Sequence, residues 1–361
     1  MKKIVVIGSG LSGLWISHLL SQKEDHQVTL LEARDVAGGR YRRARENTPF
    51  ESPDLSFFPA NEAHEKGLER LRRFQPELFQ AEISDHQPLT HLHGEWRAFV
   101  GFGDDAASSV PLLSQWNVNK ELSFTHSAAQ LVEAFLREPS FELLPRTEVT
   151  HFQVQDQKVL SVTLNGSTTL EADEFIFCPS PSQLLDLLGP EDLKSNTRSR
   201  LARASGWSAV YLRLDASEEL SSDSRALRFL LGTGKEFEPA VGRIFGGHSV
   251  WMSLIPTEKA IEPDFVTGQI RAIKRVLKRH SPEILEKASK EHIFIQDDAY
   301  GELDLKLKEP GRLNEISNLW LANHRFSPLI GALGELDAAQ TVVSQLFVAE
   351  PSGPVLTEQQ L

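Results

Sequence analysis

Three glycines, one carboxylate and one guanidinium near the amino terminus have the types and spacing to hold a phosphate-linked ligand. Gly8-Ser9-Gly10-Leu11-Ser12-Gly13 follows the β-branched run Lys2–Ile7, Glu32 stands 19 positions beyond Gly13, and Gly38-Gly39-Arg40 comes shortly after. Gly8 permits a tight turn out of a strand, Gly10 removes the Cβ where backbone must approach a pyrophosphate, and Gly13 allows a helix to lie close on a sheet. A carboxylate at Glu32 accepts hydrogen bonds from ribose hydroxyls and repels a 2′-phosphate. Together these residues predict a site for the ADP half of a dinucleotide.

The elements that must position them are legible in the same stretch. Lys2–Ile7 reads as a buried strand, the apolar pattern from Leu11 as a helix whose N–H groups and positive dipole end face the phosphates, and Val28-Thr29-Leu30-Leu31 as a second strand ending on Glu32. A strand–helix pair with an ordinary glycine turn is the plain alternative, and the register of strand, glycines, helix, acid and Gly-Gly-Arg argues against it.

At this point the chain resembles the flavin-containing amine oxidase and protoporphyrinogen oxidase-like superfamily, with a renalase-like short branch as one form. The residues that carry the resemblance are Gly8-x-Gly10-x-x-Gly13 and Leu31-Glu32-Ala33-Arg34-Asp35-Val36-Ala37-Gly38-Gly39-Arg40. The resemblance implies FAD as cofactor, with Glu32, Ala33 and Arg34 at the adenosine ribose and Gly38, Gly39 and Arg40 near the phosphates. Further along it implies backbone near Val149 against the adenine, Asn323 and His324 beside the ribityl chain, and Gly331-Ala332 opening a helix aimed at the flavin ring. It implies an α/β fold (α+β overall): a Rossmann-type FAD/NAD(P)-binding domain at 1–60, 123–190 and 296–361, with an inserted, mainly antiparallel substrate domain at 61–122 and 191–295.

Three positions depart from the family pattern. Gly followed by Glu or Asp is replaced by Asn323-His324, the glycine of Asp-x-Gly by Ser56, and the Ser-Gly of the final helix by Glu335-Leu336. All three fall on the flavin half, and none on the ADP half.

Periodicity predicts further elements. Helices are expected at 62–80, with Pro76 against its later part, at 126–138, and over 263–279. Strands are expected at 141–144, 148–155, 158–164, 168–172 and 174–178, with an Asn165-Gly166 hairpin turn. Beyond 195 the runs Val210–Leu214, Ala226–Leu231 and Ser249–Ile255 read as a separate sheet, and Asn318–Ala322 as a buried strand. The basic residues Arg271, Lys274, Arg275, Lys278 and Arg279 read as a solvated helix face.

Composition bounds the function. The chain has 361 residues, 40% of them hydrophobic, and a formal charge of −12, which argues against a nucleic-acid or anionic-membrane partner. Its one cysteine, Cys178, rules out a disulfide framework and fits a cytoplasmic protein. Lys2-Lys3 and the following apolar run mimic a signal peptide, but removing them would destroy the glycine motif. No stretch reaches the roughly 18 apolar residues of a membrane span. His91-Leu92-His93 puts two imidazoles on one strand face without a third ligand at a familiar spacing, so no metal is expected.

Flavin oxidation needs a water-poor pocket and orienting groups rather than a nucleophile–base pair. No catalytic residue is assignable; Trp96, Trp207, Tyr211 and Trp251 are candidate pocket walls. The expected function is FAD-dependent oxidation of a small amine or reduced organic substrate by hydride transfer to flavin N5. The alternatives are a catalytically silent dinucleotide-binding protein and a non-redox flavoenzyme such as a mutase or isomerase.

Overall fold

The computed structural model describes residues 1–41, 58–92, 95–103, 107–204, 206–220, 227–231, 238–301 and 303–348. Five strands, β1 (Lys2–Ile7), β2 (His26–Leu31), β3 (Glu142–Leu144), β4 (Glu174–Phe177) and β5 (Leu319–Leu321), form an all-parallel sheet in the order β5-β4-β1-β2-β3. β1 is central and apolar because both its faces are covered. Ile4 and Val6 pack with Leu14, Trp15, Val342 and Val343, while Val5 and Ile7 pack with Phe152, Phe175 and Phe177.

The five longest helices among the described residues are α1 (Leu11–Leu20), α2 (Glu62–Arg72), α3 (Ala128–Arg137), α4 (Pro263–His280) and α5 (Gly331–Val348). Trp15 of α1 is fully buried, meets Phe135 of α3 in a tilted ring contact at 5.4 Å, and donates from Nε1 to Gln340 of α5 at 3.3 Å. α1 thus sits between two helices and cannot pivot, which fixes the glycine loop at its N-terminus. Helix α2 stops at Arg72, ahead of Pro76, so the expected span to 80 is too long.

Val149–Gln155, Lys158–Leu164 and Thr168–Glu171 form a three-stranded antiparallel sheet. Asn165 and Gly166, in the three-residue connection 165–167, have φ of 48° and 73°, positive values that Asn and Gly adopt most readily. The larger sheet has seven strands, in the order Ala288–Tyr300, Trp207–Ala216, His248–Pro256, Ala240–Phe245, Leu227–Leu230, Leu89–Leu92 and Glu95–Ala98. Helix α4 covers it, with Val266, Ile270, Ile273 and Leu277 against Val210, Leu212 and Trp251. Arg271, Arg275, Lys278 and Arg279 face outward and are exposed.

Two expectations shift here. The seam expected at 295/296 falls inside Ala288–Tyr300, which remains paired in the larger sheet as far as Tyr300. Trp251 and Tyr211 are core residues, 0% and 1% exposed, with polar tips bonded to Ser249 and Gln296, so they wall no pocket.

Candidate active site

The site is built on the carboxyl ends of β1 and β2, where a parallel sheet opens its crevice. Gly8 has φ of 89° and turns the chain out of β1. A Cβ on Gly13 would lie 1.9 Å from the carbonyl oxygen of Gly8, so only glycine lets α1 begin this close to the strand. At Gly10 the same construction meets nothing within 4 Å. Gly10 is the N-cap of α1 and supplies no side-chain cap. An uncapped helix N-terminus beside open space is a cradle for an anion.

Glu32 closes one side. Its Oε2 accepts from the N–H of Ser9 at 3.1 Å and from Ser9 Oγ at 2.5 Å, and its Oε1 accepts from the N–H of Arg34 at 2.9 Å. A carboxylate offers about four lone-pair directions, so acceptor capacity remains. Ala33 and Arg34 are exposed just beyond it, while Leu11 and Ser12 are buried. The N–H of Gly38 donates to Ser9 O at 2.8 Å, which lays Gly38 and Gly39 beside Ser9 and Gly10. The N–H of Thr147 donates to Glu32 O at 2.8 Å and brings in the segment leading to Val149, which is buried with Ile7 and Leu31.

The carboxy-terminal strand and helix supply the far side. Ser12 Oγ donates to the carbonyl of Glu335 at 2.9 Å, joining the first turns of α1 and α5. Arg40 Nε lies 3.0 Å from Glu335 Oε1, and its Nη2 lies 3.4 Å from His324 Nδ1. Gly331 opens α5, and Ala332 is buried beside Leu333 and Leu336. His324 lines a small cavity with Gln115, Tyr300, Gly301 and Gly331. Burial, followed by the charges of Arg40 and Arg325, holds the imidazole pKa well below its ordinary value and keeps the ring neutral.

Asn323 is brought to the same turn, but its side chain is committed elsewhere. Its Nδ2 donates to the carbonyls of Cys178 and Pro179, each at 3.2 Å, and its Oδ1 accepts from the N–H of Arg325 at 3.1 Å. It therefore ties β5 to β4 instead of presenting its amide to the cavity. Burial pushes the Cys178 thiol up and Glu335 adds to the effect, so it stays protonated beside Gly13 as a small apolar group. Ser56 lies outside the described residues.

The ADP-binding side therefore fits the cofactor: open space, an uncapped helix end and a carboxylate with spare acceptors. On the flavin side the buried His324 Nε2 has no hydrogen-bond partner among the described residues, while Arg40 is engaged by Glu335. The pairing of Arg40 with Glu335 had no signal in the sequence beyond the departure at Glu335-Leu336. Arg325, also unread, pairs with Asp298 of the larger sheet and donates to Ala204 O at 3.1 Å. His91 stacks on His280 at 3.7 Å, His93 lies outside the described residues, and no group of three or more His, Cys, Asp or Glu able to hold a metal occurs among the described residues. A separate groove of about 340 Å³, lined by Leu305, Leu307, Leu321, Phe326 and Thr341, contains none of the glycine-loop residues. No helix among the described residues is long and apolar enough to cross a membrane.

Residues 6–74 match the family of NAD(P)-binding Rossmann-like domains. L-amino acid oxidase Lm29 of Lachesis muta is 36% identical over 142 residues, covering 39% of this chain and 26% of that protein. The L-amino-acid oxidase of Gloydius halys is 39% identical over 77 residues, 21% of this chain and 15% of that protein. The chain thus spans about a quarter, or less, of the length of these relatives. An oxidoreductase from Methanosarcina mazei shares the fold with a TM-score of 0.66 at 13% identity, over 95% of this chain and all of that one. A protein from Exiguobacterium, provisionally assigned as a protoporphyrinogen oxidase, gives 0.69 at 13% identity, over 97% of this chain and 99% of that one. The sequence likeness is confined to part of the chain, and the fold likeness runs along nearly all of it.

Proposed function

We propose that the chain is an FAD-dependent oxidoreductase that oxidises a small amine or another reduced organic substrate by hydride transfer to flavin N5. The observation that carries this reading is the open, uncapped N-terminus of α1 at Gly10, flanked by Glu32 and Gly38–Arg40. The amino-acid oxidase relatives and the oxidoreductase fold neighbours support it.

FAD, when bound, supplies the two-electron acceptor. The chain's residues bind and orient. The first-turn N–H groups of α1 and its dipole would hold the pyrophosphate, and the remaining lone pairs of Glu32 would take ribose hydroxyls. The N-terminal end of α5 at Gly331 and Ala332 would supply positive dipole to the flavin half, and Arg40 would supply positive charge near it. Tyr300 and Gln115, which line the cavity beside His324, face the place where a substrate would be oriented and water excluded. The seven-stranded sheet, with strands from 89–98 and 207–300, is the substrate-bearing part in this reading. Anaerobic addition of L-amino acids, small amines and reduced pyridine nucleotides to the FAD-loaded protein tests it: one class should bleach the flavin spectrum, and bleaching by none would refute turnover of such donors.

A dinucleotide-binding protein without turnover is the second reading. The Glu335 carboxylate on Arg40 favours it, because that ion pair competes with the phosphates for the guanidinium.

A further inference from the structure

His324 is held in one tautomer. Its Nδ1 faces Nη2 of Arg40 at 3.4 Å, and a guanidinium can only donate, so Nδ1 accepts and the proton of the neutral ring sits on Nε2. The side chain is buried, at 7% exposure, and Nε2 has no hydrogen-bond partner among the described residues. A buried N–H left unpaired is a net cost to the folded state. The ring lines the cavity at Gly331, between the end of the larger sheet and the start of α5. Arg40, although paired with the Glu335 carboxylate, and the N-terminus of α5 are the other donors here. This corner therefore offers a ligand donors, and whatever completes it must bring an acceptor.

We infer that His324 Nε2–H is a positioning donor to an oxygen or nitrogen acceptor in the part of FAD beyond its pyrophosphate. The polarity is the reverse of the carboxylate that the resembling families carry at this place. The inference rests on the FAD reading and adds to it a residue that separates recognition of the flavin half from recognition of the ADP half.

The experiment is a pair of titrations, FAD and ADP, on the cofactor-stripped full chain as wild type, His324→Leu and His324→Gln. Wild type should bind both. His324→Leu should weaken FAD by about tenfold, the worth of one buried hydrogen bond, and leave ADP within about twofold. His324→Gln, whose amide can donate, should recover most of the loss. Unchanged FAD affinity in His324→Leu, or a parallel loss of FAD and ADP, would overturn the inference while leaving FAD binding intact as a reading. If wild type took up no FAD, both would fall. Should the leucine variant not fold, His324→Phe replaces it with the same expectations.

Discussion

Arg40 Nε lies 3.0 Å from Glu335 Oε1, and this ion pair fastens the glycine-loop unit at the start of the chain to the helix that ends the described fold. Glu335 is buried and the Arg40 side chain is 23% exposed, so the pair is neither a surface bridge nor fully dry. Removing one partner strands the other. Glu335→Ala should cost about 2 kcal/mol, below the range for fully buried pairs because Arg40 keeps contact with water. Urea denaturation of the two single variants and the double variant checks it: the double should lose less than the sum, and strict additivity would show that the pair contributes nothing.

The two inner glycines should separate stability from binding. Gly13→Ala drives a methyl into the Gly8 carbonyl and should cost about 3 kcal/mol. Gly10→Ala enters open space at a φ of −66° that any residue adopts, and should change stability by less than about 0.5 kcal/mol. Its methyl nevertheless fills the cradle, so FAD affinity should fall. Thermal melts and FAD titration of the two variants decide this, and a Gly10→Ala protein with full affinity would mean that the cradle is not used.

Glu32→Ala removes the proposed ribose acceptor together with three internal hydrogen bonds from Ser9 and Arg34. FAD affinity should drop by at least about tenfold, with the far-ultraviolet circular dichroism unchanged. Full cofactor occupancy in this variant would remove Glu32 from the binding site.

Burial lowers the pKa of His64 from 6.5 to about 4. The unfolded chain then takes up a proton below pH 6.5 while the folded one does not, so stability falls as pH drops from about 6.5 to about 4 and levels off below. The contribution reaches about 3 kcal/mol at its largest. Denaturation midpoints between about pH 7 and pH 4 should show the slope in wild type and a shallower one in His64→Leu. An equal slope in both would place the proton uptake elsewhere.

The strand–glycine–helix–strand unit was legible because it is local: a strand, three glycines, a helix and an acid within forty residues fix one another's positions. Asn165-Gly166 was legible for the same reason. Glu335 could be seen as unusual, but not as the partner of Arg40, because no short-range pattern links them. Asn323 could have presented its amide to the cavity or to backbone, and only the approach of Cys178 and Pro179 decides between them. The strand Ala288–Tyr300 was missed because it is an edge strand, where exposed Ile293 and Ile295 and the acidic Asp297-Asp298 blur the alternation. Trp251 and Tyr211 show that an aromatic's type says little about which face of the strand it takes.

The most direct test of the central claim, that this chain binds FAD at the Gly10–Glu32–Arg40 site, is the visible absorption spectrum of the purified, dialysed protein, with identification of whatever denaturation releases. The account predicts flavin bands near ~450 nm and released FAD. A colourless protein that also fails to take up added FAD would contradict it, and the dinucleotide-binding protein without turnover would become the leading reading.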